Sequence, residues 1–294
     1  MKAVDFDYAR PASIGEACGL LAAGGDEAKI IAGGQTLVPL MAMRMARPAL
    51  LVDINRIAEL NGIESGSDYV TLRSCTRQAA ALADETIRLR APLLAKALRF
   101  VGHGQTRNRG TIGGSLANAD PAAEIGLAAL VLDARIEAHS ATGRRQIPIA
   151  EFFIGPMMTA LAPEECLTAI RLPLWQEPGR LGTGFQETSA RRSDFALAAA
   201  AVQLILDTEG TCRRIALGVG GVGSVPLRID AAMERLLGTR LDDDDIGDAA
   251  RIVYRAIDPA PDLHASADYR RRLAASLVER ALAEAKRDAL ARKA

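Results

Sequence analysis

Two glycine-bearing segments carry residue types that can bind an anionic ligand. In 31-IAGGQTL-37 an apolar, β-branched run leads into Gly33 and Gly34, and the N–H groups of Gly34, Gln35 and Thr36 can converge on one anion. Glycine matters there because a backbone without Cβ lets a phosphate approach closely, and a helix starting just beyond turns its positive end toward it. The second segment, 110-GTIGGSLANADP-121, sets Gly113 and Gly114 among Thr111, Ser115 and Asn118, whose hydroxyl and amide groups suit a diphosphate and a sugar chain. Singly, each segment also reads as a tight turn ahead of a helix. Together they suit a dinucleotide, whose pyrophosphate, sugar chain and two ring systems need more than one loop.

Other patterns resemble sites without the context of one. The run 218-GVGGVG-223 has GxGxxG spacing after a strand, with Asp242 further on, yet Pro226 follows closely and no apolar strand ends at that acid. A sheet edge or turn is expected there. The acidic run Asp242 to Asp245 suits a solvated helix entry, where carboxylates face the positive helix end. His139 and His264 lack metal-ligand spacing, and no metal site is assigned. Cys18, Cys75, Cys166 and Cys212 are scattered with no CxxC pair, which excludes the zinc and ferredoxin-type patterns and leaves buried free thiols.

The elements that must position the two glycine segments follow from periodicity. Ser13 with Glu16 forms a capping-box pattern that opens a helix ending near Gly24 and Gly25. A strand at 28-AKIIA-32, a Met- and Leu-rich helix to about Met45 and a buried strand at 49-ALLVDI-54 make the first 55 residues a compact α/β unit with nearly parallel strands. From 68-DYVTLRS-74 the chain alternates strand, a helix near Thr76, a helix after Pro92 and the second glycine segment. Asp120 and Pro121 there look like an N-cap and first-turn proline for an apolar helix through Leu132. Strands at 134-ARIEAHS-140 and 166-CLTAIRLP-173 complete this lobe. Around 175-WQEPGRLGTG-184 apolar periodicity lapses, marking a boundary between residues 1–175 and 176–294. The second part reads as strands near 184–189, 195–206 and 212–222, then helices from Ile229, Asp244 and Ser266. The last carries Leu273, Leu277, Ala281 and Ala285 on one face.

Length and composition bound the function. A chain of 294 residues with 49% hydrophobic side chains fills a sizeable core, and its length is that of two domains or of one large one. Lys plus Arg and Asp plus Glu are both 36, so no net field draws nucleic acid or an anionic membrane, and nucleic acid is not an expected partner. No apolar run reaches the ~20 residues of a transmembrane span. No secretory or lipidation signal opens the chain, so a cytoplasmic location is expected.

The pairing of AGGQTL with RNRGTIGGSLANADPAAE resembles the FAD-binding medium subunit of molybdenum hydroxylases, the group of xanthine dehydrogenase and aerobic carbon monoxide dehydrogenase. The resemblance continues, in that family's order, through 151-EFFIG-155, 164-EECLTAIRLP-173, 184-GFQETSARRSDFA-196 and 264-HASADYRRRLA-274. It implies an α+β chain with a two-subdomain FAD-binding domain of the vanillyl-alcohol-oxidase type (about 1–55 and 56–175). A C-terminal α+β domain with an antiparallel sheet and helices follows. By the same resemblance, Lys29, Ile30, Ile31, Ala32, Gly33, Gly34, Gln35 and Thr36 wrap the FAD diphosphate and ribose, and Thr111, Gly113, Gly114 and Ser115 continue that cradle. Asp120 joins the cofactor-binding set. Glu124 falls where the family has a carboxylate near the flavin's polar chain, Leu167 where an apolar residue borders the ring, and Gln186 where some members have lysine. Ser115 stands where many relatives have Asn, and Asn118 where bacterial relatives often have His.

The resemblance implies noncovalent FAD, no catalytic acid or base on this chain, and [2Fe–2S] clusters and molybdopterin held only by partners. Those partners are a small iron–sulfur subunit and a large molybdopterin subunit, in a dimer of heterotrimers. Electrons pass from the clusters to this FAD and on to NAD, a quinone, a cytochrome or oxygen. Two other readings fit parts of the sequence. A stand-alone FAD oxidase or dehydrogenase would need a base, for which His103 is the obvious residue, and a noncatalytic interaction subunit would bind no flavin. His103, in GHGQTRN, also raises covalent flavin attachment, but a hydrogen bond within its loop is the simpler expectation.

Overall fold

The computed structural model describes residues 2–292 and builds three main sheets in succession along the chain. The first is parallel, with Leu50–Asp53 between Asp7–Ala9 and Ala28–Ile31. The helix Ile14–Gly24 packs on it, with Ser13 accepting from the Glu16 N–H at 3.1 Å. Glu16 closes this cap on the Ala12 N–H at 2.7 Å, and Gly25 ends the helix at φ 52°. The helix expected to reach Met45 covers only Leu37–Ala42.

The second sheet is antiparallel, in the order Ile63–Ser65, Tyr69–Arg73, Cys166–Pro173, Arg135–Ser140, Gly143–Pro148. Between its second and third strands in sequence lie short helices, including Gln78–Ala83, Pro92–Ala97, Gly104–Arg109, Ile112–Asn118 and Glu124–Val131, which is apolar after its first residue. Pro92 occupies a first-turn position, as its fixed φ allows. The central strand bulges between Leu167 and Ala169, and the Thr168 carbonyl there accepts the Ser74 N–H at 3.0 Å.

The third sheet is an antiparallel meander of Arg180–Ser189, Ala196–Leu206, Cys212–Gly220 and the short Leu227–Arg228. Its two faces are covered differently because side chains alternate along a strand. Even-numbered Gly182 and Gly184 face the long helix Ala267–Ala291. A Cβ on either would stand 2.1 Å from the Ala285 carbonyl oxygen or 2.0 Å from that of Ala281, so only glycine permits this approach. Odd-numbered Phe185 faces the helices that precede the third sheet and packs on Phe100, ring centres 5.3 Å apart. Lys96 ties these elements further, donating to the Thr183 carbonyl at 2.5 Å and pairing with Glu284 at 2.7 Å. One continuous apolar core runs from the second sheet through the helix Glu124–Val131 into the third sheet. A smaller one lies under the parallel sheet. No helix among the described residues is long and apolar enough to cross a membrane.

Candidate functional site

A cleft of about 540 Å³ opens where the parallel-sheet lobe meets the second sheet and its helices, within the size range of cofactor sites. Of the residues proposed from sequence, Lys29 to Thr36, Thr111, Gly113, Gly114, Ser115, Asp120, Glu124 and Leu167 all line it. Ser193, Asp194 and Phe195, from the loop joining the first two strands of the third sheet, stand at its wall as well.

The loop after the strand Ala28–Ile31 is built to receive an anion. Gly34 has φ 70°, a conformation that side-chain-bearing residues resist, and the helix starts only at Leu37. Among the described residues no protein acceptor takes the N–H groups of Gly34, Gln35 or Thr36, although the carbonyls of Gly34 and Thr36 already accept from Val38 and Leu40. Backbone donors left open in a cleft wall call for a ligand or water. Gly33 is buried against the second glycine segment, where a Cβ would meet the Arg109 carbonyl oxygen at 2.5 Å and the Gly110 Cα at 2.8 Å.

Side chains that the sequence reading missed hold this contact. Asn55 donates to the Ala32 carbonyl at 2.8 Å and to Asp53 Oδ1 at 2.6 Å. Arg77 in turn reaches Asn55 Oδ1 at 2.7 Å and the Arg109 carbonyl at 2.5 Å, tying the first loop to the base of the second segment. Burial works against the Asp53 carboxylate, but bonds donated by Tyr8 and Asn55 outweigh it and hold its pKa below the usual value. The available signal was the D-x-N spacing of Asp53 and Asn55 at the end of a parallel strand, where ligands gather.

The second glycine segment works differently from the first. It is a helix, Ile112–Asn118, and its first amides are engaged internally. Ile112 and Gly113 donate to the carbonyls of Thr76 and Ser74 at 3.0 and 2.9 Å, Gly114 to Thr111 Oγ1 at 3.0 Å, and Ser115 to the Thr111 carbonyl at 3.1 Å. Thr111 is therefore an N-cap. Gly113 is glycine because a Cβ would lie 2.5 Å from that of Ser74. What the segment presents to the cleft is side chains and surface, with the Cβ position of Gly114 3.8 Å from the Ala32 Cβ across the gap. Asp120 is not the N-cap of the following helix. That helix starts at Glu124, and the Asp120 carboxylate instead accepts the Ala122 N–H at 2.9 Å in the preceding turn.

Gln186 is the one proposed residue that the cleft does not include. Like Gly182 and Gly184 it faces the long helix, and it donates to Glu284 at 2.8 Å. Strand alternation turns its neighbour Glu187 to the opposite face. Burial pushes the Glu124 carboxyl up to about 7, helped by Asp120 and opposed by Arg107. Burial and the nearby Glu124 together push Glu187 up to about 8. Leu167 reaches the cleft from the strand end where the bulge begins.

His103 stands exposed at the rim as the residue before the helix Gly104–Arg109, its carbonyl accepting the Arg107 N–H at 3.0 Å. The GxGxxG run closes a strand and turns at Gly221, with φ 72°. A Cβ on Gly218 would stand 3.0 Å from Val131 and 3.1 Å from Leu127, so this glycine seats the helix Glu124–Val131 on the sheet. Asp242 and Asp245 form a reciprocal capping box, and Asp245 also pairs with Arg235 at 3.0 Å.

Comparison with known proteins agrees with this geometry. Residues 4–175 match the FAD binding domain in molybdopterin dehydrogenase, and residues 183–285 the CO dehydrogenase flavoprotein C-terminal domain. The chain is 42% identical to the 6-hydroxypseudooxynicotine dehydrogenase complex subunit alpha of Paenarthrobacter nicotinovorans, over 97% of this chain and 96% of that one. Among solved structures, it superposes with a TM-score of 0.94 at 34% identity on carbon monoxide dehydrogenase from Hydrogenophaga pseudoflava, covering 98% of this chain and 100% of that chain. Quinoline 2-oxidoreductase from Pseudomonas putida 86 gives the same TM-score at 32% identity, covering 99% and 100%. The glycine-loop cleft, the sheet order and these matches converge: the chain belongs to the family of FAD-binding medium subunits of molybdenum hydroxylases.

Proposed function

We propose that this chain holds FAD noncovalently in the cleft and carries electrons from the [2Fe–2S] clusters of a small partner subunit to an external acceptor. The single observation that carries the reading is the row of open amides at Gly34, Gln35 and Thr36, beside a glycine contact that a methyl group would fill. These donors suit a diphosphate. Thr111, Ser115, Asp120 and Glu124 offer polar contacts for a sugar chain, and Lys29 to Ala32, Gly113, Gly114 and Leu167 shape the walls. When bound, FAD supplies the redox chemistry, exchanging electrons singly or in pairs. The protein's own task is to fix the ring and set its surroundings. Asn55 and Arg77 keep the two walls in register, and Lys96 fastens the C-terminal part to them.

In this reading residues 1–175 are the FAD-binding domain, with subdomains of about 1–55 and 56–175, and residues 176–294 form the C-terminal domain. The partners are a large molybdopterin subunit and the small iron–sulfur subunit, arranged as a dimer of heterotrimers in the cytoplasm. The naming of a relative as one subunit of a dehydrogenase complex supports this. The test is a reductive titration of the complex copurified with the tagged chain. Substrate should bleach the iron–sulfur and flavin bands together, and the isolated FAD-loaded chain should not turn substrate over. Turnover by the isolated chain, without iron or molybdenum, would contradict the assignment.

A further inference from the structure

The segment 264-HASADYRRRLA-274 contributes nothing to the cleft lining, yet it holds a buried cation. Arg270 lies in the first turns of the long helix Ala267–Ala291, and its side chain is only 9% exposed. Burying a guanidinium is costly unless its charge and its donors are answered. Asp262, in the loop before the helix, answers the charge at 2.6 Å and is itself fixed by the N–H groups of His264 and Ala265, both at 2.9 Å. The other arm of the guanidinium bonds only to backbone, donating to the Leu197 carbonyl at 2.6 Å and to the Gly221 carbonyl at 2.9 Å. Both carbonyls sit where the third sheet is irregular. Ser189 pairs with Ala196 and Thr188 with Ala198, so Leu197 is the extra residue of a bulge, and pairing with the next strand begins only at Ala199 and Gly220. Gly221 then turns at φ 72°, and its Cβ position would lie 3.1 and 3.3 Å from the carbonyl oxygens of Ala196 and Leu197. Each piece leads directly to the cleft. Ser193, Asp194 and Phe195 at the cleft wall precede the bulge, and the Gly221 N–H donates to the Pro121 carbonyl at 3.0 Å, in the turn between the cleft residues Asp120 and Glu124.

We propose that Arg270 is a positioning residue of the cofactor cleft: its guanidinium clips the Leu197 bulge to the Gly221 turn and so sets the wall that residues 193–195 and the turn after Asp120 present to the dinucleotide. The inference rests on the FAD reading above for its ligand, while the clip itself is a property of the chain alone. A bulged strand has lost ladder pairing, so the direction in which the chain leaves it depends on what else holds it. Here that hold comes from the C-terminal helix. Bonds from a cation to carbonyl oxygens are stronger than neutral ones, and one planar group that grips two carbonyls fixes their spacing as well as their position. A lysine ammonium in the same place has no such fork. Arg270 does not line the cleft, so it acts on the ligand only through the backbone it holds, as a wall built from loops requires. Without the guanidinium the two carbonyls lose their charged donor, and the bulge and the turn are free to part.

Amide hydrogen exchange of the full chain, freed of FAD, reads the clip directly. In Arg270→Met the amides of residues 193–198 and of Gly221 should exchange about tenfold faster than in wild type, while those of the parallel sheet keep their rates. FAD is then titrated into the FAD-free complex that copurifies with the tagged chain. Arg270→Met should bind it about tenfold more weakly, and the visible circular dichroism of the bound flavin, which reports the asymmetry of its surroundings, should change. Arg270→Lys keeps the charge without the fork and should fall between the two, so it carries the test if the methionine variant does not fold. Arg271→Met is the control. That neighbouring side chain bonds to the Ile257 carbonyl at 3.1 Å and to Asp258, outside the cleft, and its loss should leave all three readouts as in wild type. Wild-type exchange at 193–198 in both Arg270 variants overturns the clip, and so does a lysine variant equal to wild type throughout. Faster exchange with FAD affinity and dichroism unchanged, or an equal effect of Arg271→Met, overturns the positioning role. A wild-type complex that binds no FAD refutes the flavin reading instead, and the exchange comparison still decides the clip.

Discussion

Replacing Gly33 by alanine tests the cleft at its tightest point. A methyl group on Gly33 stands 2.5 Å from the Arg109 carbonyl oxygen, 2.8 Å from the Gly110 Cα and 3.1 Å from the Arg109 carbonyl carbon. All three are backbone atoms, and Arg77 holds that carbonyl in place, so no change of rotamer relieves the overlap. Carbon–oxygen contacts begin near ~3.3 Å, so the loop and the second segment must part by roughly 0.8 Å. Overpacking of this kind costs about 1–3 kcal/mol. Borne by the open amides next to Gly33, that energy reads as FAD binding about 5- to 150-fold weaker. The assay is quenching of FAD fluorescence by the FAD-free chain, with a thermal melt beside it. Gly15→Ala is the control: it lies exposed in a helix with nothing near its Cβ position, and it should gain up to ~1 kcal/mol with FAD affinity unchanged. A Gly33→Ala chain that binds FAD within about twofold of wild type and melts no lower refutes the argument.

Three further outcomes follow from the same contacts. Arg77→Met removes bonds to Asn55 and to the Arg109 carbonyl at 2.7 and 2.5 Å. Losing such charge-assisted bonds should lower FAD affinity and stability by about 1.5–3 kcal/mol in the same titration, with lysine a poor substitute because it lacks the guanidinium fork. Gly182→Ala places a methyl 2.1 Å from the Ala285 carbonyl oxygen and should lower the unfolding free energy measured in urea by ~3 kcal/mol, as the long helix is forced off its strand. Burial opposes the charge on Asp288, but Lys96 at 3.4 Å and the Thr183 N–H and hydroxyl at 3.0 and 2.9 Å outweigh it and lower its pKa. The stability this group adds is therefore present above the unfolded value of ~3.9 and lost as pH falls through the lower native one. The urea midpoint should rise with pH through that acid range in wild type and rise less in Asp288→Asn.

The elements legible in the sequence were those with strong local signals. Ser13 with Glu16, Pro92 and the apolar run through Val131 each fixed a helix by capping, φ restriction or continuous burial. The long alanine-rich strand Ala196–Leu206 was legible because it is buried on both faces and bounded by polar turns. The use of each amide in the second glycine segment was not legible, because paired glycines serve close packing as readily as anion contact. Only the partners of the amides at 112 to 115 distinguish the two uses, and those come from residues 74, 76 and 111. Gln186 lies outside the cleft lining because of period-two geometry, in which a shift of one residue exchanges the cleft face for the helix face. Arg77 was not legible because its partners, Asn55 and the Arg109 carbonyl, lie 22 and 32 residues away, and Asn55 left only its D-x-N spacing with Asp53 as a local trace of its bond to Ala32, 23 residues back.

The most direct test of the central claim is a crystal structure of the chain, alone or in its complex, with FAD bound. The diphosphate should lie on the N–H groups of Gly34, Gln35 and Thr36, with the dinucleotide extending along Ser115 and Glu124. Density for FAD elsewhere, with those three amides turned to solvent, would contradict it.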